Sequence, residues 1–382
     1  MRSTADAVII GGGVIGSSIA YHLAKEGMRN VVLLERYSFC TGSTGRCGAG
    51  VREQWGSERN CRLAQASINA FEHLAEELGY EGDIEFKQKG YLILAHTEKE
   101  WEQFKKNVAL QNSLGIASKL LTPQEAKEIV PILNTDGMLG ATYNKRDGHC
   151  NPFHTTWAYA QAARRLGVEL QYFTEATGIR LEGGRVAAVN TTRGTISTPV
   201  VINAAGPWAK PVAQMVGVDL PVYTQRHQIL ATEPTGPIID PMVMSFSIGI
   251  YCQQTPHGSV VMGMGDPNEP KGYDIGSSWE FLREMSRIIL RLLPALESLK
   301  VVRQWSGLYT VTPDAHPILG GVPGIDGYYQ AVGFSGHGFM LAPAVGRIIS
   351  ELVVGKTPFI DITGLDLGRF ERGELQVEPS VV

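Results

Sequence analysis

Residues 11–16, Gly-Gly-Gly-Val-Ile-Gly, set Gly11, Gly13 and Gly16 in a GxGxxG spacing, with Val14 and Ile15 between the last two. Glycine at those positions lets a backbone turn tightly, approach a pyrophosphate at a helix N-terminus and pack that helix against the preceding strand. Glu35 follows about 20 residues later, where the second strand of a dinucleotide unit ends and a carboxylate can accept a hydrogen bond from a ribose 2′-hydroxyl. Arg36 stands beside it. The next chemistry-bearing stretch, 41–48, reads Thr-Gly-Ser-Thr-Gly-Arg-Cys-Gly. Ser43 and Thr44 offer hydroxyls, Arg46 a guanidinium, and the glycines open backbone amides, a donor set suited to a second phosphate. Far along the chain, 332–339 repeats a glycine-rich turn, Val-Gly-Phe-Ser-Gly-His-Gly-Phe, which places Gly336, His337, Gly338 and Phe339 just before an apolar run.

Nicotinamide and flavin dinucleotides both use the first motif. The later stretches favour flavin, because a second helix N-terminus can stabilise the negative charge that a reduced flavin holds near N1 and O2.

The elements that position these residues follow from hydrophobic periodicity. A strand over 7–10, a glycine turn, a helix over 17–25 and a strand over 31–34 form a βαβ opening. From about 84 to 143 the composition turns to polar helical stretches, such as 98–106, separated by Gly90, Pro123 and Pro131, which predicts an inserted domain. A helix over 157–166 and short strands broken by Gly183-Gly184 return the chain to the first domain, ending in the buried strand 200–202. Strand signals at 227–232, 248–255 and 259–264 surround one amphipathic helix at 279–293, a second visit to the inserted domain. Strand, glycine turn and helix close the chain at 327–354. The expected class is α/β: a Rossmann-like nucleotide domain from segments 1–83, 144–219 and 310–382, and an α+β substrate domain on a mainly antiparallel sheet from 84–143 and 220–309.

Composition narrows the function classes. At 382 residues and 43% hydrophobic, the chain can bury two cores. Its 34 basic and 38 acidic residues are interspersed, giving a net charge of −4 with no basic block, so nucleic acid is not an expected partner. No apolar run reaches the roughly 20 residues of a membrane-spanning helix, and the first apolar stretch is a strand and turn rather than a signal sequence, so a cytoplasmic location is expected. The five cysteines lack a CxxC pair or zinc spacing and read as reduced thiols; none is expected to hold a metal.

Together with the GxGxxG and Glu35, residues 42–48, 203–208 (Asn-Ala-Ala-Gly-Pro-Trp), 307–314 (Gly-Leu-Tyr-Thr-Val-Thr-Pro-Asp) and 333–341 carry a resemblance over essentially the whole length. The chain resembles the D-amino-acid oxidase and sarcosine oxidase superfamily of flavoenzymes. Within it, 334–340 and the tail 369–375 are most similar to the β-type subunits of dye-linked L-proline dehydrogenases and multi-subunit sarcosine oxidases. The resemblance implies FAD, with Ala205, Gly206, Trp208, Gly307 and Met340 joining Cys47, Gly48 and the turn residues above in its cradle. It implies oxidation of the carbon–nitrogen bond of a small amino acid or amine, with hydride passing from the carbon next to nitrogen to flavin N5.

The departures from the family pattern shape the mechanism. Single-subunit sarcosine oxidases bond flavin to a cysteine near the segment that here reads Trp305-Ser306-Gly307-Leu308, without a thiol, so the FAD is expected to be non-covalent. Their oxygen-activating lysine also has no counterpart in 259–262, and Met340 replaces the lysine of a Gly-Phe-Lys motif, which disfavours rapid reaction with oxygen. Arg52 can clamp a substrate carboxylate through bidentate hydrogen bonds. His227, Tyr251, Tyr309 and His337 are candidates to line the pocket or to position the flavin. Two readings of His154 stand: a polar residue at a helix start, or, by resemblance, a neighbour of an FMN held between subunits.

Three functions are therefore open to the chain. One is a dehydrogenase of proline or a similar amine that passes electrons to a dye, quinone or second flavin. Another is an oxidase of glycine, sarcosine or a D-amino acid that makes hydrogen peroxide. The third is a non-catalytic electron-transfer subunit. A second subunit or a homo-oligomer is an expected partner.

Overall fold

The computed structural model describes residues 2–380 and is organised by two large sheets. In the nine-stranded sheet, Ile325–Val332, Val201–Asn203, Ala7–Ile10, Val31–Leu34 and Glu169–Gln171 lie side by side and parallel. Arg185–Thr191 and Gly194–Ser197 extend one edge, Ala176–Glu182 pairs with the former, and Ile318–Val322 pairs with Ile325–Val332. Residues 7–10 and 31–34 are wholly buried because both faces are covered, as a parallel sheet requires. Ala7, Ile9, Val31 and Leu33 pack under the helices Val14–Lys25, Pro152–Arg165 and Gly338–Val353, while Val8, Ile10, Val32 and Leu34 join Ile179, Val189 and Val212 on the opposite face. This two-residue alternation shows why a continuous apolar run here makes strands rather than helix.

The eight-stranded sheet runs in the order Val301–Val311, Tyr223–Pro234, Ser259–Met264, Ile250–Gln254, Met242–Ser245, Tyr91–Ala95, Gly140–Asn144, Lys119–Leu121. All neighbours are antiparallel except Met242–Ser245 with Tyr91–Ala95. One face, with Leu92, Leu94, Val243 and Met262, packs on Phe281, Met285 and Ile289 of the helix Trp279–Leu292. Tyr91, Met242, Met244 and Tyr251 occupy the other face.

Residues 84–143 differ from the helical stretch expected of them. Helices Glu98–Ser113 and Pro123–Ile129 are present, each started by a capping box at Thr97 and Thr122, but three strands of the second sheet lie there too. Tyr91–Ala95 is a five-residue apolar run buried on both sides, too short for a helix and pulled into the sheet by its partners.

Candidate active site

Two adjoining cavities lie between the sheets. The larger, about 560 Å³, is bounded by Gly11, Gly13, Val14 and Ile15, by Glu35 and Arg36, and by residues 41–44 with Arg46 and Cys47. Ala205, Gly206 and Trp208, then His227, Tyr251, Gly307, Tyr309, Gly336, Gly338 and Phe339 complete its wall. Two helix N-termini open on it, Val14–Lys25 and Gly338–Val353, so backbone amides and aligned dipoles favour negative charge at two separate points.

The glycine turn is shaped by backbone contact. Gly11 has φ +118, and a Cβ there would lie 2.3 Å from the Ala204 carbonyl oxygen. Gly16 does not border the cavity; a Cβ on it would meet Gly11 O at 1.9 Å, so its role is to seat the helix on the turn. Glu35 is held by backbone donors: Gly12 N–H donates to Oε2 (3.0 Å) and Tyr37 N–H to Oε1 (2.9 Å). Each oxygen keeps a lone pair for a hydroxyl donor. Arg36 stacks its guanidinium 3.9 Å above the Trp208 ring, building a flat cationic and aromatic wall beside Glu35.

Segment 41–48 is tied to the strand Val301–Val311. Ser43 Oγ donates to Leu308 O (2.7 Å), Arg46 Nη1 to Ser306 O (3.0 Å), and Trp305 Nε1 to Arg46 O (3.0 Å). Thr44 Oγ1 accepts from Val14 N–H (3.2 Å), joining this segment to the first helix N-terminus. Arg46 therefore spends two donors on backbone, including Nε on Thr41 O, and acts first as a brace. Burial pushes the Cys47 thiol up to about 11, so it stays protonated and a poor nucleophile.

His227, Tyr251 and Tyr309 form a stack of near-parallel rings. His227 and Tyr309 lie 4.5 Å apart with planes 2° from parallel; His227 and Tyr251 are 5.5 Å apart at 9°. Three strands deliver them, Tyr223–Pro234, Val301–Val311 and Ile250–Gln254. Burial lowers His227 to about 4, so it is neutral at pH 7, and its buried Nε2 has no partner within the protein.

The smaller cavity, about 70 Å³, shares Cys47, Tyr251, Tyr309, Gly336 and Phe339 with the larger and adds Gly48, Arg52, Trp55, Tyr91, Met242, Met244, His337 and Met340. Arg52 is buried, pairs with neither Glu53 nor Glu58, and lies 3.7 Å over the Trp55 ring. Its Nη1 donates to Gln54 O and its Nη2 to Ser380 O, while the buried Nε has no partner. Burial lowers its pKa, with Tyr91, Glu378 and Asp147 opposing. His337 stands at the N-cap position of the second helix without a side-chain capping bond and packs against Trp55, 4.9 Å between rings; burial first, then His316 and Arg52, lowers it to about 3, and neither ring nitrogen finds a partner. A deep pocket with one guanidinium, neutral histidines and aromatic walls can hold a small carboxylate beside an uncharged amine.

Structure thus brings Arg52, His227, Tyr251, Tyr309 and His337 to one end of the paired cavities. His154 lies outside both: it sits in the first turn of Pro152–Arg165, where the Asn151 side chain accepts from its N–H, and its Nδ1 is 2.7 Å from Asp83 O. Sequence reasoning missed Trp55, Tyr91, Met242 and Met244. The apolar run 91–95 carries no alternation that would single out Tyr91, and only strand pairing with Met242 makes it part of the pocket.

The residues fit a flavin dinucleotide: two separated helix N-termini for its charges, a braced carboxylate for a ribose, and a stacked wall for an aromatic base. The sequence pattern of the family described as FAD dependent oxidoreductase matches residues 6–352. Sarcosine oxidase subunit beta of Rhodobacter capsulatus is 32% identical over 97% of this chain and 89% of its own length. The crystal structure of L-proline dehydrogenase from P. horikoshii superposes with a TM-score of 0.93 at 40% identity, covering 98% of this chain and all of that one. Glycine oxidase from Geobacillus kaustophilus gives 0.89 at 28% identity, with 96% and 99% covered.

Proposed function

The chain belongs to the FAD-dependent oxidoreductases, and we propose that within that family it is a dehydrogenase of a proline- or sarcosine-like amino acid. FAD is its cofactor and small amino acids are its substrate class. Held there, FAD would supply the hydride acceptor and the outlet for the electrons. Every other task falls to the protein. Glu35 and Arg36 hold the nucleotide end, the N-termini of the helices Val14–Lys25 and Gly338–Val353 offset negative charge, and segment 41–48 braces the middle. No cysteine lies in the Val301–Val311 strand, and the Cys47 thiol is held protonated by burial, which supports non-covalent binding.

The observation that carries the substrate reading is the small cavity with Arg52 in its wall. Arg52 binds the substrate carboxylate, and the walls of Tyr91, Met242 and Tyr251 confine a compact side chain or ring. Neutral His227 and His337 add no positive charge beside the amine, so it can lose its proton, and orientation supplies much of the acceleration.

Mixing the anaerobic yellow protein with L-proline, sarcosine, glycine and D-amino acids tests this: bleaching of the flavin band by the first two is expected. Reoxidation should be faster with an artificial dye than with air. The likeness to a glycine oxidase supports the second reading, an oxidase, and rapid reoxidation by air with peroxide formation would select it. Flavin that no amine bleaches would leave the electron-transfer reading.

We place the enzyme in the cytoplasm, a reading supported by five free cysteines. Among the described residues, no helix is long and apolar enough to cross a membrane. The sarcosine oxidase relatives are subunits, which supports a partner subunit for this chain. The bonds of His154 to Asn151 and Asp83 support its reading as a helix-start residue over that of an FMN neighbour.

A further inference from the structure

We infer that Glu378 is a positioning residue that fixes Arg52 for carboxylate binding, acting through the backbone of Ser380. This rests on the proposed role of Arg52 as the carboxylate clamp. The guanidinium has five N–H donors. One on Nη1 goes to Gln54 O and one on Nη2 to Ser380 O, which fixes the plane of the fork and leaves a further donor on each nitrogen for a ligand.

Ser380 is itself held by Glu378. The Glu378 Oε1 accepts from Ser380 N–H (3.0 Å) and Gly56 N–H (2.9 Å), and Oε2 accepts from Ser57 Oγ (2.6 Å) and Asn60 Nδ2 (2.9 Å). All four donors converge on one buried carboxylate. The chain just after Arg52 is shaped to receive it: a Cβ at Gly56 would lie 2.3 Å from Pro379 Cγ, so only glycine lets segment 378–380 approach. Asn107 Nδ2 donates to Ser380 Oγ (3.2 Å) and anchors the far side.

Two effects of Glu378 on an anion at Arg52 have opposite signs. Its negative charge nearby disfavours the anion, whereas its hydrogen bonds hold the fork in a binding geometry. The amide of Glu378→Gln removes the charge but can keep Oε1 for the two backbone amides. Asn60 can accommodate the new donor by turning its amide, because its Oδ1 is buried without a partner. Glu378→Ala removes both effects. If positioning dominates, the alanine variant binds anions more weakly and the glutamine variant does not.

Acetate and propionate serve as probes, since they carry the carboxylate without an oxidisable carbon–nitrogen bond. Their dissociation constants are read from perturbation of the flavin spectrum of the FAD-loaded protein. Glu378→Ala is expected to weaken both by about tenfold, Glu378→Gln to stay within about threefold of the parent, and Arg52→Ala to weaken both further. Adding Glu378→Ala to Arg52→Ala should then change nothing more, as expected of residues acting through one contact. Unchanged acetate affinity in Glu378→Ala, with Arg52→Ala impaired, overturns this inference alone. Unchanged affinity in Arg52→Ala removes the clamp itself. Should Glu378→Ala fail to fold, the pair Ser57→Ala and Asn107→Ala loosens the same segment, and parent-like acetate binding by that variant counts against the inference equally.

Discussion

The imidazole of His227 lies 4.5 Å from the Tyr309 ring and 2° from parallel to it. Their strands pair in register, Gln225 opposite Tyr309 and His227 opposite Gly307, so the two rings are diagonal neighbours on one sheet face. The missing side chain at Gly307 leaves room for Arg46, whose Cβ would meet a Gly307 Cβ at 3.2 Å. The stack and the cofactor cradle are thus set by one strand pair.

Acid should destabilise this protein through its buried histidines. Burial lowers His22, His149 and His227 to about 4 and His337 to about 3. The unfolded chain, with histidines near 6.5, binds protons the folded one refuses, so stability is present above about pH 6.5 and is lost as pH falls toward 4. Each such group contributes up to about 1.4 kcal/mol per pH unit across that window. His227→Phe keeps a ring in the stack and removes one titration. Its Tm should fall less steeply between pH 6.5 and 4 than that of the parent, and parallel curves would refute the assignment.

Glu35→Ala should weaken FAD binding. It removes an acceptor whose two oxygens are fixed by Gly12 and Tyr37, and leaves a ribose hydroxyl unpaired, a loss of about 1–3 kcal/mol. Flavin fluorescence released on dilution measures it, and retention equal to the parent's would show that the carboxylate only orders the turn.

Gly336 tolerates no side chain on two grounds. Its φ is +91, and a Cβ would lie 2.5 Å from Tyr309 Cε2. Gly336→Ala should therefore displace the Tyr309 ring and cost flavin affinity as well as stability, the conformational part alone being about 1 kcal/mol. Gly355→Ala is the comparison, since Gly355 has φ +77 but nothing near a Cβ. Equal flavin retention by the two variants would mean that the clash is relieved elsewhere.

How much of this was legible in the sequence depends on the distance over which each feature is encoded. The strands Ala7–Ile10 and Val31–Leu34, the glycine turn and Glu35 depend on neighbours within about 30 residues, and local pattern finds them. Tyr91 and Met242 become pocket walls only because residues 151 apart pair as parallel strands, and no local period reports that. Glu378 is further removed from Arg52, and a glutamate in a polar tail reads as solvated until Gly56, Ser57 and Asn60 are seen around it. Arg52 itself was legible as a chemical type but not as a buried group, since arginines are usually exposed.

Loss of Arg52 should act mainly on substrate binding. A buried guanidinium whose fork meets a carboxylate in both ground and transition states contributes mainly to binding, so its loss should raise the substrate concentration for half-maximal flavin reduction and leave the limiting rate less affected. A charge-assisted bidentate pair is worth on the order of 2–4 kcal/mol, or roughly 30- to 1000-fold in that concentration. Arg52→Lys should recover only part of the loss: an ammonium cannot donate to Gln54 O, Ser380 O and a carboxylate in one plane, and it would share its charge with the same carbonyls. Stopped-flow reduction with L-proline or sarcosine provides the measurement, after the flavin spectrum of each variant has been matched to the parent. The residue also stacks on Trp55, which packs against His337, so a variant that loses flavin would report on the cradle instead. If Arg52→Ala keeps its flavin and is half-reduced at the parent's substrate concentration, the carboxylate is bound elsewhere, and the unpartnered Nε2 of His227 is the next group to replace.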